Sequence, residues 1–408
     1  MFRSVLLKAL LVLLLVPSLA FAQEATEVEL QETIMGQDMA EVCPTPQNLP
    51  ETVTIGAVFG LSGPISVYGG PQQQAVQLAV DEVNATNYLG EGTTLEVIFE
   101  DSAGDAQQTI GAITKLVEQD QVTAIIGPTL STEAVAGAPV AQEAGTPILG
   151  VSNTASGLRE LIGDFYYRNS LPEQVVIPGT VAQAVELLGL ERVGVLYGND
   201  DDFTLSGYDV FVQALEDNGV EILGEETFAR GDVDFSAQLT NLIGQNPDAL
   251  VASALAAEAT QIIVQARQLG YNGPIIGGNG FNSPAVIQNS GEDAEGLIVG
   301  GAWNIGNPNP SPSSVIFAAN FEAVAGYPPD QFAAQAYSGA WQLATAIRCA
   351  DSVDRVAVRD ALGSIQNMET PLGTFSFDEN GEPVHDPIAQ IVQNGEFVPL
   401  ALAVSEGE

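Results

Sequence analysis

From residue 53 onward, short apolar runs alternate with amphipathic stretches that repeat at helical spacing. Val53-Thr54-Ile55-Gly56-Ala57-Val58-Phe59 reads as a buried strand, followed by a helix over 72–84, a strand over 95–100 and a helix over 106–118. Ala124-Ile125-Ile126 is a further short strand closed by Gly127-Pro128, and Ser131 stands as candidate N-cap of a helix over 132–143 that Gly145 ends. Pro147-Ile148-Leu149-Gly150-Val151 is the next strand, stopping at Ser152-Asn153-Thr154. Such alternation predicts a parallel, doubly wound sheet.

The pattern then starts again. Helices are expected over 174–188, 205–218, 235–243 and 258–269, with strands over 192–197, 220–228, 249–253 and 274–276 between and after them. Two α/β lobes in series imply a cleft. Helices over 332–350 and 356–365 and a strand-rich tail over 373–398 follow, and the tail allows the chain to cross between lobes again and form a hinge.

Strands joined by a helix lie parallel, so the turns after 124–126 and 147–151 open on one sheet edge, where helix N-termini present unpaired N–H groups. Ser131 and Thr154 add hydroxyls there, and together these groups suit a carboxylate. The alternative is that both residues only cap helices.

The N-terminus carries Arg3 and Lys8, an apolar run over 9–16 and Ala20-Phe21-Ala22, the form of a secretory signal over 1–22. Residues 23–51 are acidic, polar and Pro-containing, and are expected to form a flexible leader. No cysteine stands just after the apolar run to carry a lipid, and no later stretch reaches the ~20 apolar residues of a membrane span. A periplasmic or extracellular location follows.

The net charge is −41, from 52 acidic against 11 basic residues, which argues against nucleic acid and anionic membranes as partners. Spread along the chain with Lys115 the only lysine past the signal, the acidity suggests a salty medium that screens self-repulsion. The two cysteines, Cys43 and Cys349, are candidates for a disulfide worth roughly 2–4 kcal/mol, although sequence leaves their separation open.

Enzymatic chemistry has few candidates. The one histidine, His385, lies in the turn-rich tail, a poor place for the base of a hydrolytic triad. There is no G-x-G-x-x-G opening a helix, no phosphate-binding G-x-x-x-x-G-K-[ST], and no histidine or thiolate cluster, so neither cofactor nor metal is expected. Asp200-Asp201-Asp202 does not match calcium-loop spacing and reads as a solvated turn.

Gly60-Leu61-Ser62-Gly63-Pro64, Tyr68-Gly69 and the Ala-rich helix ending Val83-Asn84-Ala85 resemble the opening of the solute-binding proteins of ABC importers, in the leucine/isoleucine/valine-binding group. Asp101-Ser102 with Asp105, the block 127–154, Phe165-Tyr166-Tyr167-Arg168, Ala361-Leu362 and Gly373-Thr374-Phe375 extend the resemblance over roughly 52–400. It implies a type I periplasmic binding fold, two doubly wound lobes joined by a hinge. Lobe 1 is then 52–172 with 303–382, and lobe 2 is 173–302 with 383–404.

The resemblance implies that Ser131 and Thr154 grip a ligand's α-carboxylate, with Leu130, Ser152 and Asn153 completing the grip through backbone groups nearby. Tyr68 and Phe203 match aromatics over the ligand, although Thr204 replaces the usual Gly after Phe203. Where the family holds the α-ammonium with an acid, this chain has Asn279, followed by Phe281, and an aromatic is missing from Ala254-Leu255-Ala256-Ala257. Glu258 is near enough in sequence to serve as that acid, with helix initiation as the alternative. The expected function is capture of a small amino acid or related carboxylate by hinge closure, by a monomer, for an ABC permease. Amide, urea-like and aromatic carboxylate ligands stay open, as do a sensory module of the same fold and a secreted hydrolase.

Overall fold

The computed structural model describes residues 30–401, so the expected signal segment lies outside the described residues. The chain runs α1 (Gln37–Val42), β1 (Thr52–Phe59), α2 (Ser66–Ala85), β2 (Thr94–Asp101), α3 (Ala106–Glu118), β3 (Ile125–Ile126), α4 (Ser131–Glu143), β4 (Ile148–Gly150), α5 (Leu158–Ile162) and β5 (Tyr166–Arg168). It continues with α6 (Glu173–Leu188), β6 (Arg192–Gly198), α7 (Asp202–Asp217), β7 (Glu221–Phe228), α8 (Ser236–Ile243), β8 (Ala249–Ser253), α9 (Ala256–Gln268), β9 (Ile275–Gly277), α10 (Pro284–Ser290) and β10 (Leu297–Gly301). Last come α11 (Pro312–Ala325), α12 (Gln331–Ala350), α13 (Arg355–Gly363), β11 (Met368–Thr370), β12 (Gly373–Phe377), β13 (Pro383–Val384), β14 (Ile388–Gln393) and β15 (Glu396–Pro399).

One sheet has the order β2-β1-β3-β4-β5, parallel throughout. A second sheet contains β7-β6-β8-β9-β10, the same order in parallel, extended by antiparallel β14 and β15. The short sheet β11-β12-β13 is antiparallel. The chain passes to the second sheet after β5, returns after β10 with α11, whose Phe317 and Phe321 join the core of the first sheet, and crosses back at β14.

Short polar side chains start the helices as their chemistry requires. Asp105, Asp201, Ser311, Asp330 and Asp354 each accept a backbone N–H in the first turn of α3, α7, α11, α12 and α13. Helix α2 begins earlier than the apolar period suggests, and Gly69 permits this: a β-carbon there would lie 2.1 Å from the Gly60 carbonyl oxygen. Sequence reading assigns no element to 284–325, where α10, β10 and α11 stand; both helices open on Ser-Pro, a start signal easily read as a turn.

The leader needs correction over its described part. Met35, Met39 and Cys43, spaced four apart, are buried, the Thr33 and Tyr337 hydroxyls are hydrogen-bonded, and Asn320 bonds both backbone groups of Gln31. Cys43 is disulfide-bonded to Cys349 in α12, with 4.9 Å between Cα atoms. Arg348 secures the same junction by donating to the Cys43 carbonyl at 2.8 Å. Because the bond spans 306 residues, the double variant Cys43→Ala/Cys349→Ala should lose about 4–5 kcal/mol. That corresponds to about 5 °C of melting temperature for a chain this size; a shift below about 1 °C would contradict a clamping role.

Buried acids give stability a definite pH dependence. Burial raises the carboxyls of Glu82, Glu133, Glu173 and Asp201, and pushes Asp330 up to about 7 against the opposing effect of its hydrogen bonds to the α12 N-terminus. The folded state therefore binds more protons than the unfolded chain between about pH 4 and 7, and stability falls as pH rises through that window. The lowered carboxyls, such as Asp101 and Asp248, lose their contribution only below about pH 4. The melting temperature at constant high salt should be higher at pH 5 than at pH 7.5; the reverse order would contradict this accounting.

Candidate functional site

In each sheet the strand order reverses at one point, between β1 and β3 in the first and between β6 and β8 in the second. Ligands of open parallel sheets sit outside the carboxyl ends of the strands at such points. Here the two points face each other across a cavity of about 20 Å³. Tyr68, Thr129, Leu130, Ser131, Ser152 and Phe332 line it from one side, and Phe203, Leu255, Asn279 and Gly280 from the other.

Hydrogen bonds join the two walls. Tyr68, on α2, donates its hydroxyl to the Gly280 carbonyl at 2.6 Å and accepts from the Ala256 N–H at 2.7 Å, and its ring packs 4.6 Å from Phe332. Thr132 donates to Asp201 Oδ2 at 3.0 Å and accepts from the Asp202 N–H at 2.9 Å, while Ser206 Oγ accepts from the Ser156 N–H at 2.9 Å. Asp201 is therefore a buried cap and cross-cleft tie rather than a solvated turn.

Ser131 is the first residue of α4, not its cap. Glu133 satisfies the Leu130 N–H at 2.8 Å, and Ser131 Oγ accepts from the Ala155 N–H at 3.2 Å, tying the two hydroxyl-bearing turns together. Ser152 Oγ donates to the Thr129 carbonyl at 2.6 Å and accepts from Gln72, which also accepts from Thr129. Asn153 lies behind the wall, its amide donating to the Pro128 carbonyl at 3.0 Å. Phe281 is likewise behind it, fully buried among Leu255, Val286 and Ile287 in the core of the second sheet. Phe203 does reach the cavity, and Thr204, replacing the usual glycine, bonds back to the Gly198 carbonyl at 2.8 Å.

Thr154 opens on a second, narrower cavity of about 10 Å³, lined also by Glu173, Thr180, Gly278, Asn279 and Gln335. Asn279 borders both cavities, and its Oδ1 accepts from Gln331. Thr154 Oγ1 and both Glu173 carboxylate oxygens are buried and have no hydrogen-bond partner among the described residues. Glu173 was hidden in the sequence as an ordinary first-turn acid of α6, and Phe332 and Gln335 as core positions of α12. Glu258 points elsewhere, accepting from the Gly231 N–H at 2.7 Å. His385 Nε2 lies 3.0 Å from the Asn169 carbonyl, and burial pushes its ring down to about 4. Among the described residues no cluster suits a metal ion, and no helix is long and apolar enough to cross a membrane.

The family model of periplasmic binding proteins matches residues 52–396. The chain belongs to that family. Within it, this periplasmic binding protein is of the leucine/isoleucine/valine-binding group and has its type I, two-lobed fold. It is 27% identical over 333 residues to a Leu/Ile/Val-binding protein of Rhizobium johnstonii, covering 81% of this chain and 88% of that one. Among solved structures it resembles a leucine-binding protein of Thermotoga maritima, with 26% identity and a TM-score of 0.79 over 85% of this chain and 97% of that one. A branched-chain amino acid transporter substrate-binding protein of Streptococcus pneumoniae in complex with isoleucine gives 29% identity and a TM-score of 0.79 over the same shares.

Proposed function

We propose that this protein is the extracytoplasmic substrate-binding component of an ABC importer, capturing a branched-chain or similar amino acid between its lobes and presenting it to a membrane permease. The observation that carries the reading is the pair Ser131 and Thr154, following β3 and β4, adjacent parallel strands beside the switch point, with the buried Thr154 hydroxyl unpartnered among the described residues. A ligand carboxylate supplies the acceptor such a hydroxyl lacks, beside the N-terminus of α4. Relatives named for leucine, isoleucine and valine, and one solved with isoleucine, support the amino acid class.

Binding works without covalent chemistry, by hinge closure. The ties through Tyr68, Thr132 and Ser206 belong to the closed form, and ligand that touches both walls favours that form over an open one. A monomer suffices, since one chain supplies both walls.

A thermal-shift screen at high salt against amino acids, aliphatic and aromatic carboxylates, amides, urea and short peptides tests the reading. Ligand that binds only the folded state raises the melting temperature by an amount set by concentration over Kd. Stabilisation by branched-chain amino acids is expected; stabilisation by none of the carboxylate-bearing solutes would overturn the proposal.

A further inference from the structure

We infer that Glu173 is the residue that selects for a cationic nitrogen on the ligand, taking in this chain the role that Asn279 cannot fill. The inference rests on the carboxylate-binding reading given above and adds a charge requirement to it.

Glu173 is 2% exposed, and neither carboxylate oxygen has a hydrogen-bond partner among the described residues. Burying an unpaired carboxyl costs several kcal/mol unless a partner arrives or a proton stays bound. Among the described residues no counter-ion lies within bonding distance of Glu173. Arg168 is engaged by Glu382, and Asp201 is itself an acid bonded to Thr132. Ser206 stands close enough to oppose the effect of burial on the Glu173 carboxyl, but its hydroxyl accepts from the Ser156 N–H and donates to Ser156 Oγ at 3.4 Å, and Ser253 has a buried hydroxyl without a partner among the described residues. A β-carbon on Gly207 would lie 2.8 Å from Glu173 Oε1 and 2.4 Å from Ser253 Oγ, so a bare glycine leaves these oxygens their space.

Placement completes the argument. The Glu173 N–H donates to the Thr154 carbonyl at 2.8 Å, so the acid is tethered to the residue proposed to hold the carboxylate. Both line the cavity of about 10 Å³, which has room for one water-sized group. An ammonium is that size, and an α-ammonium lies one carbon from its carboxylate. Gln335 Oε1, also buried and without a partner among the described residues, offers a second acceptor in the same cavity. Asn279, at the boundary, brings a neutral amide whose oxygen accepts from Gln331 and which carries no charge to pair with an ammonium. Burial holds the Glu173 carboxyl protonated well above the ordinary carboxylate range, so a cation entering beside it displaces that proton.

The test is calorimetric titration of wild type and Glu173→Gln with L-leucine and with 4-methylpentanoate, its analogue lacking the amino group, in buffers of differing ionisation enthalpy. Wild type should prefer leucine by at least tenfold and release protons to the buffer on binding it. Glu173→Gln should bind 4-methylpentanoate as wild type does, with the preference for leucine and the proton release both lost. An unchanged preference in Glu173→Gln would overturn the inference, as would wild type binding 4-methylpentanoate more tightly than leucine; the carboxylate reading would survive either result. Equal loss of both ligands in Glu173→Gln would make the residue structural and also overturn it. Absence of binding by wild type to either compound would bring down the amino acid reading and this inference together.

Discussion

Replacing Arg168 with Met should cost about 3–5 kcal/mol of folding free energy and weaken solute binding as well. The guanidinium is 1% exposed and makes a two-pronged ion pair with Glu382, Nε to Oε2 at 2.8 Å and Nη2 to Oε1 at 3.1 Å. Its remaining nitrogen donates to the carbonyls of Asn153 and Ala155 at 3.1 and 2.6 Å, the two residues flanking Thr154. Removing the cation strands a carboxylate and the Ala155 carbonyl, leaves the Asn153 carbonyl with Ser170 Oγ alone at 2.9 Å, and releases the turn that aims the Thr154 hydroxyl. Lysine cannot restore this fork, so Arg168→Lys should recover only a minor part of the loss. Guanidinium denaturation reads the stability and calorimetry the affinity; a stability change under about 1 kcal/mol would contradict the account of this loop.

Thr154→Val should separate binding from folding. The substitution keeps the shape of the side chain and removes a buried hydroxyl without a partner among the described residues, so stability should hold or rise by up to about 1 kcal/mol. Affinity for the solute should fall roughly 10–100-fold, the worth of one hydrogen bond to a charged group. Ser131→Ala should behave differently, because Ser131 Oγ accepts from the Ala155 N–H and its loss unties the two turns as well. It should lower affinity to a similar degree and also cost about 1 kcal/mol of stability. Unchanged affinity in Thr154→Val would remove that hydroxyl from the site.

The contrast between these two residues shows what the sequence could carry. Alternation of apolar runs and helical periods identified both parallel sheets, because a buried strand and an amphipathic helix leave local signatures. The hydroxyls after β3 and β4 were legible for the same reason, since adjacent parallel strands must open their turns on one edge. Glu173 was not legible: an acid in the first turn of a helix is favoured by the helix dipole wherever it occurs, and only the fold shows that this one is sealed away from water. Phe332 lies some 260 residues along the chain from Tyr68, against which it packs at a tilt, and local pattern cannot report a contact across that separation. The segment over 30–43 misled because its polar composition masks three buried apolar side chains, and the four-residue spacing of Met35, Met39 and Cys43 was the available signal.

Titration of the protein, dialysed free of co-purified solute at high salt, with L-leucine, L-isoleucine and L-valine and with their methyl esters tests the central claim most directly. Esterification removes the carboxylate charge and leaves the ammonium and side chain in place. One-to-one binding of at least one free amino acid, with its ester bound at least tenfold more weakly, is the expected result. An ester bound as tightly as its acid, or no heat from any of the six, would contradict capture of a carboxylate by Ser131 and Thr154.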